Sequence, residues 1–359
     1  MTIYGVQNPP SIGGTAQFYI QTFQGTNLID QSLIAGILGI GGAIGTMTST
    51  TVAIDSRSSS AAGDSSNYIF SFRTDVDLPQ NVYFQLQLPI NTFGVSTYPS
   101  CSSFPINGVQ INGTFSCSYD ANAQSIAVTG VAQAIPAGMT VGISVSMRNP
   151  TYSYTTGTFN IYAMKLGTTL AFTRMLGIKG VPITAGAITQ ISMNPIDSLF
   201  VVSMIKTMWF SLSFKLKNPL ISGSMITIAL PNSISIAPLS PVEGISTTYY
   251  VQSGLNDING NNPLSITAAG NLISITNFQS MSQPNLITVN ILLVTPPSSG
   301  PSSPIQITSY TDISGTSRID QDVATATVQV SNIRKLLQSN ASWYHCALHH
   351  FEHHFRRRN

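Results

Sequence analysis

Two cysteines, two asparagine acceptor triplets and a cluster of histidines are the residues whose types and spacing could do chemistry in this chain. Cys101 and Cys117 stand sixteen positions apart and flank turn-forming sequence, CSSFPINGVQINGTFSC. That spacing allows a disulfide in an oxidising compartment, and closing a loop of this size contributes about 3 kcal/mol. The alternative is a pair of buried free thiols. Inside the same loop, Asn112-Gly113-Thr114 forms an N-glycosylation acceptor pattern, which favours the disulfide because both modifications belong to secreted chains. A second triplet, Asn340-Ala341-Ser342, lies near the C-terminal end.

The histidines all fall in the last segment, RKLLQSNASWYHCALHHFEHHFRRRN. His345, His349 and His353 have the i, i+4, i+8 spacing of one helix face, with Cys346, His350 and His354 on the adjacent face. Imidazoles so placed could share a zinc ion. The segment's composition resembles nothing else in the chain, however, and it reads better as a processed pro-segment, a translated non-coding stretch or a basic appendage, with Arg334-Lys335 as a dibasic processing point. No metal and no cofactor is expected. Asp257-Ile-Asn-Gly-Asn-Asn has its Gly at the fourth position and no following Glu, so it reads as a hairpin turn and not a calcium loop. The pairs Asp75/Asp77 and Asp320/Asp322 read as solvated strand-edge charges that discourage unwanted pairing.

Catalysis finds few candidates. Residues 1 to 333 contain no His and a single Glu, Glu243, so neither a Ser-His-Asp nor a Cys-His arrangement can be built there. Paired Asp remains the one formal option, and no enzymatic activity is expected. The same region carries 10 Lys and Arg against 12 Asp and Glu. Without a basic stripe it is no partner for nucleic acid, which needs clustered cations to neutralise phosphate. Only 8% of the 359 residues are charged, against about 25% in ordinary soluble domains. Polarity comes instead from about 80 Ser and Thr hydroxyls. The opening MTIYGVQNPPSIGG has no basic or apolar signal region. The best apolar run, Leu33 to Ile44, has twelve residues with four glycines, too short to span a bilayer, and no membrane contact is expected.

These residues must be positioned by strands. Period-two alternation recurs in FSFRTDV, YFQLQLP, ISVSM, FNIYAM, ITIAL, ISISIA, ITVNI and ATATVQV, punctuated by Pro, Gly and Asn. Such a pattern, rich in β-branched and aromatic residues, predicts short antiparallel strands with one buried face. Trp209 is a candidate core aromatic. Tyr152/Tyr154 and Tyr249/Tyr250 could either stack on sugars or pack between sheets.

The strands also repeat. Asn8 to Asp30, Asn149 to Phe172 and Thr295 to Asp320 each read as a Pro turn, a Ser/Thr/Gly loop and an alternating strand. Tyr68 to Pro89 matches Trp209 to Pro231, and the unit is about 145 residues long. Seven or more strands per unit predict a two-sheet sandwich of immunoglobulin type. The organisation expected is a partial repeat over 1–44, sandwiches over 45–186 and 187–333, and a basic tail over 334–359.

The strands of the partial repeat would expose unpaired backbone and an apolar face, so they must pair with something. Ile3, Tyr4, Val6, Phe18, Ile20 and Phe23 are the candidate assembly residues. Either the protein continues upstream, or these strands complete a sheet in a neighbouring subunit, and a head-to-tail contact of that kind builds a filament.

The strands ending in Leu88-Pro89 and Leu230-Pro231, with the Asn/Thr-Pro turn before a closing strand, resemble the tandem immunoglobulin-like sandwiches of extracellular surface and fibril proteins, notably of microbial eukaryotes. The resemblance implies an all-β, tandem Ig-like antiparallel sandwich protein at the cell surface or outside the cell. It implies no catalytic residues and a role as stalk, adhesin or polymer subunit with glycans as partners. The expected function is a self-assembling filament subunit, glycosylated at Asn112 and Asn340. The alternatives are a carbohydrate-binding adhesin or stalk module and a secreted Asp-dependent enzyme.

Overall fold

The computed structural model describes residues 18–24, 26–34, 44–90, 92–106, 109–168, 170–196, 201–202, 207–239, 249–253, 264–281, 286–294, 300–301, 303–323 and 329–331. Among these the regular elements are strands. The chain divides into two compact units, the first comprising Met1–Ser60, Asp64–Pro150 and Tyr154–Ile183, the second Ala61–Gly63, Thr151–Ser153 and Thr184–Asn359.

Two leading strands, β1 (Phe18–Gln24) and β2 (Asn27–Ile34), pair antiparallel with Phe18 opposite Ile34 and Gln24 opposite Asn27. The first sandwich then uses β3 (Gly45–Ile54), β4 (Ser65–Thr74), β5 (Tyr83–Gln87), β6 (Cys101–Ser103), β7 (Gly113–Asp120), β8 (Ser125–Val131), β9 (Thr140–Arg148), β10 (Tyr154–Thr155), β11 (Phe159–Met164), β12 (Ala171–Ile178) and β13 (Pro182–Ile183). Strand β4 displays the underlying logic. Tyr68, Phe70 and Phe72 are buried while Asn67, Ser71 and Arg73 face outwards, because successive side chains of a strand point to opposite faces.

One sheet has the order β6-β9-β4-β3 and the other β12-β11-β5-β8-β7. The first four correspond to strands D, E, B and A of an immunoglobulin sandwich, and β12, β11 and β5 to G, F and C. Strand β3 joins the sheets: Met47 to Ile54 pair antiparallel with β4, whereas Gly45 and Thr46 pair in parallel with Thr173 and Arg174 of β12. The core between them is aromatic. Phe72 and Phe84 meet edge to face with centroids 5.2 Å apart, and Phe70 and Phe159 at 5.8 Å. Each fully buried ring of this kind contributes about 1.5–3 kcal/mol.

The second sandwich contains β14 (Gly186–Ala187), β15 (Thr189–Pro195), β16 (Val201–Val202), β17 (Thr207–Lys215), β18 (Met225–Ala229), β19 (Ser235–Ile236), β20 (Tyr249–Ser253), β21 (Ser265–Ala269), β22 (Leu272–Thr276), β23 (Leu286–Val294), β24 (Gly300–Pro301), β25 (Gln306–Tyr310), β26 (Arg318–Val323) and β27 (Gln329–Ser331). Its sheets run β15-β17-β23, with β19 and β20 both on β23, and β14-β26-β25-β18-β22-β21. This is the order of the first sandwich again, including a parallel join, here Gly186 opposite Asp320. The pairing of β24 with β27 likewise repeats that of β10 with β13. The core of the second sandwich is mostly aliphatic, with Leu212, Ile226, Ile228, Ile273, Ile275, Val289 and Ile307 all at 0% exposure.

The repeated Leu-Pro has a physical role. Leu88 and Leu230 are buried, and their N–H groups donate to the Gln124 and Asn271 carbonyls at 2.8 Å, so each closes a ladder. The following Pro89 and Pro231 carry no N–H and stop the strand. The all-β sandwich fold is as expected, with parallel pairing between the named strands confined to two-residue joins. One expectation needs correction. Trp209 is not a core residue: Met208, Phe210, Leu212 and Phe214 of β17 fill the core, which sends Trp209 to the outer face, half-buried, with its ring 5.5 Å from that of Tyr250.

Candidate functional site

The first sandwich has its free sheet edges at β6 and β7. Cys101 on β6 and Cys117 on β7 are joined by a disulfide with their Cα atoms 6.1 Å apart. The bond therefore ties one sheet to the other at the side opposite the β3 join. Between these strands lies an open cleft of about 290 Å³, lined by Cys101, Ser102, Ser103, Gln110, Asn112 and Phe115, among others. Its lining is mainly polar, with Ile111 and the half-buried Phe115 as its large apolar members.

The acceptor triplet opens onto this cleft. Asn112 and Thr114 are exposed, while neighbouring Ile111 is buried and donates its N–H to Ser103 Oγ at 3.1 Å. The pairing of β7 with β8 shifts register between Gly113 and Ser116, a bulge that begins just after Gly113 pairs with Val131 and takes in Thr114 of the triplet. Gly130 makes the bulge possible. Its φ is +93°, and a Cβ there would lie 1.9 Å from the Thr114 carbonyl oxygen. The Asn112 carbonyl accepts from Ala132 N–H at 3.0 Å, so the backbone of the acceptor is fixed although its side chain is exposed.

Each sandwich contains one buried polar cluster. In the first, the Tyr68 hydroxyl donates to Asn149 Oδ1 at 2.6 Å, and Asn149 Nδ2 donates to the Ser59 carbonyl at 2.9 Å. Burial pushes the Tyr68 phenol well above its ordinary value, so it remains a donor at all physiological pH. In the second, Asp320 is fully buried. Its Oδ2 accepts the N–H groups of Lys217 and Asn218 at 2.9 and 2.8 Å, and its Oδ1 accepts Asn218 Nδ2 at 2.6 Å. Asn218 Nδ2 also donates to the Ala62 carbonyl at 3.1 Å. Burial raises the Asp320 carboxyl above its usual range, and the bonds from Asn218 and Lys217 pull it partly back. Asp320 is thus not a solvated edge charge. It sits where β26 meets the parallel strand β14, so both of its sides are covered.

Asp75 and Asp77 are exposed but engaged, Asp75 accepting from Thr46 N–H at 2.7 Å and Asp77 from Ala137 N–H at 2.7 Å. Tyr152 packs against the second core and Tyr154 lies half-buried in β10; Tyr249 is half-buried in β20, where Tyr250 is exposed. Phe18, Ile20 and Phe23 lie on β1, opposite Ile34, Ser32 and Leu28 of β2. Ile3, Tyr4, Val6, Asp257 to Asn262, Asn340 and the histidine-rich segment lie outside the described residues. Among the described residues no helix is long and apolar enough to cross a membrane, and no group of three or more His, Cys, Asp or Glu could hold a metal ion.

No protein-family model and no curated protein matches the sequence. Solved structures that do match include the type II cohesin dyad from the adaptor ScaA scaffoldin of Acetivibrio cellulolyticus, at 9% identity and a TM-score of 0.23 over 79% of this chain and 96% of that one. The collagen adhesin CNA from S. aureus matches at 13% identity and a TM-score of 0.24, over 80% of this chain and 93% of its own. A protein described as membrane-anchored from Corynebacterium diphtheriae matches at 9% identity and a TM-score of 0.24, over 89% of this chain and 98% of its own. Scores this low carry no argument about function.

Proposed function

We propose that this chain is a structural subunit of an extracellular or cell-surface filament, with repeats over 45–186 and 187–333 and a repeat-like pair of strands within 1–44. In this reading the hairpin of β1 and β2 adds to a sheet of a neighbouring subunit, and Asn112 carries a glycan. The observation that carries it is the identity of that hairpin. By alignment β1 and β2 are the counterparts of β11 and β12 and of β25 and β26. In the first sandwich β11 is hydrogen-bonded on its other side to β5, from Ala163 opposite Phe84 to Asn160 opposite Gln87. In the second, β25 is bonded in the same way to β18. Among the described residues β1 pairs with β2 alone. A hairpin of this kind offers a backbone edge matched to one more strand, which is the requirement for β-strand addition.

The disulfide supports the location, since such bonds persist in oxidising compartments. The mechanism needs no ionisable chemistry: backbone hydrogen bonds give direction, and burial of alternating apolar side chains contributes about 25 cal/mol per Å². Electron microscopy of the purified full chain and of a chain lacking residues 1–30 tests it. Filaments in the first and none in the second are expected. A truncated chain that still polymerises normally sinks strand exchange.

The Trp209 and Tyr250 pair favours a second reading, a carbohydrate-binding module, because it places two aromatic rings on an outer face with Tyr250 44% exposed. Glycan-array binding abolished by Tyr250→Ala, in a chain that forms no filaments, would favour it instead.

A further inference from the structure

We infer that the first sugar of a glycan on Asn112 seats in the cleft between β6 and β7 and shields the Cys101–Cys117 disulfide from reductants, an inference that rests on the reading of the chain as secreted and glycosylated. The cleft has the volume and the chemistry for one N-acetylhexosamine. Its roughly 290 Å³ are bordered by Ser102, Ser103, Gln110 and Phe115, with Asn112 itself in the wall. Hydroxyl and amide groups match the sugar's polar edge, and the ring of Phe115 matches its C–H face. The hydrogen bond from Ala132 N–H holds the Asn112 backbone in place, so a sugar attached there starts beside the cleft and loses little further freedom on entering it.

The occupant also has a consequence for the sulfurs. Cys101 is partly buried and lines the cleft, whereas Cys117 is 5% exposed. A thiolate reductant therefore reaches Cys101 Sγ through the cleft: a mixed disulfide forms there, the bond to Cys117 Sγ breaks, and Cys117 leaves as the thiolate and takes up a proton. A sugar in the cleft blocks that path. Its attachment needs a lipid-pyrophosphate-linked oligosaccharide as co-substrate; Asn112 Nδ2 bonds to the anomeric carbon, the carbon to phosphate-oxygen bond breaks, and the amide proton leaves with the lipid pyrophosphate.

The experiment uses the full chain secreted from eukaryotic cells, in three forms: intact glycan, glycan trimmed enzymatically to a single N-acetylglucosamine, and Asn112→Gln. Intact mass reads occupancy, and mass tagging of the thiols of Cys101 and Cys117 reads the rate of reduction by dithiothreitol. The trimmed form should be reduced several-fold more slowly than Asn112→Gln, at a rate close to that of the intact form. Its N-acetyl methyl resonance should show a ring-current shift that is lost in Phe115→Leu with Asn112 still occupied. Because Phe115 also packs against the core, its variant is compared with the double variant Phe115→Leu/Asn112→Gln. Equal reduction rates and an unshifted methyl on an occupied Asn112 overturn the seat alone. An unoccupied Asn112 overturns the glycosylation reading and the seat with it.

Discussion

Thr173 and Asp320 hold equivalent places in the two sandwiches with donor and acceptor exchanged. Each is fully buried opposite the glycine that begins the parallel join, Gly45 for Thr173 and Gly186 for Asp320. In the first sandwich the buried strand supplies the donor: Thr173 Oγ1 donates to Asp75 Oδ1 at 3.3 Å. In the second it supplies the acid, and the donors come from Lys217 and Asn218. Asp75 and Lys217 are themselves equivalent, each three residues before a leucine, Leu78 or Leu220, that makes the same isolated bridge. The junction is therefore kept polar and paired while its charge has moved from one strand to the other.

Replacing Asp320 by Ala removes the acceptor of the Lys217 and Asn218 N–H groups and one of the two acceptors of Asn218 Nδ2. At about 1–3 kcal/mol for a buried unsatisfied group, the second sandwich should lose several kcal/mol of stability. Urea unfolding followed by Trp209 fluorescence, in a Trp343→Phe background, measures it. A loss under about 1 kcal/mol would mean that water replaces the carboxylate.

The pH dependence of the same transition has two limbs. Because burial raises the Asp320 carboxyl above 3.8, the folded chain takes up this proton at higher pH than the unfolded one. Its contribution is complete below 3.8 and is lost as pH rises through the raised value. Hydrogen bonds, led by that from the Ser314 hydroxyl, hold Asp312 below 3.8, so its contribution is present above 3.8 and lost as pH falls through the lowered value. The urea midpoint should rise on acidification from neutral pH and turn down below 3.8. Asp320→Asn should flatten the rise and leave the downturn. A midpoint that only falls from neutral pH would contradict the role of Asp320.

Tyr68→Phe removes the donor to Asn149 and should cost the first sandwich about 1–3 kcal/mol. Phe210 is the counterpart of Tyr68, opposite Ile291 as Tyr68 is opposite Val145. Phe210→Tyr should therefore bury a hydroxyl at a site built for none and destabilise the second sandwich by a similar amount. Differential scanning calorimetry of both variants checks the pair, and a neutral Tyr68→Phe would remove the hydrogen bond from the account.

Gly186→Ala places a methyl 2.1 Å from Asp320 Oδ1 and 2.4 Å from Asn218 Nδ2, both held by their own hydrogen bonds. Overpacking of this sort costs about 1–3 kcal/mol, read as a lower urea midpoint for the second sandwich. Addition of Asp320→Ala should relieve part of the clash, so the double variant should be less destabilised than the sum of the singles. Strict additivity would separate the two sites.

Much of this architecture was legible because each sandwich has one buried face per strand. The alternation in YIFSFRT and TMWFSLSFK marks β4 and β17, and the Leu-Pro pairs mark the ends of β5 and β18 in the facing sheets. Parity alone would have placed Trp209 correctly, since Met208, Leu212 and Phe214 share a face with Phe210 and exclude its neighbour. The burial of Asp320 was hidden for the opposite reason. Ile319 and Asp320 are adjacent and both buried, which breaks the alternation at the sheet switch. The parallel joins that cause it involve two residues on each strand, too few to leave a period. Strand β6, three residues long, left no pattern either; only its cysteine marked it. The cleft beside Asn112 depends on a bulge whose one trace is the pair Gly113 and Gly130, seventeen positions apart.

In the proposed filament a subunit would work under tension, and there the Cys101–Cys117 bond would have a further effect. Force applied along the chain passes across the sulfurs and bypasses the sixteen-residue separation between them. At roughly 3.3–3.6 Å per extended residue, roughly 50 Å of contour is withheld from any pull. When the first sandwich ruptures it should lengthen by that much less than its residue count allows, and the second sandwich, whose corresponding edge positions are Tyr249 and Ile266, should release its full length. Under such a pull the two sandwiches would act as a short tether and a long one.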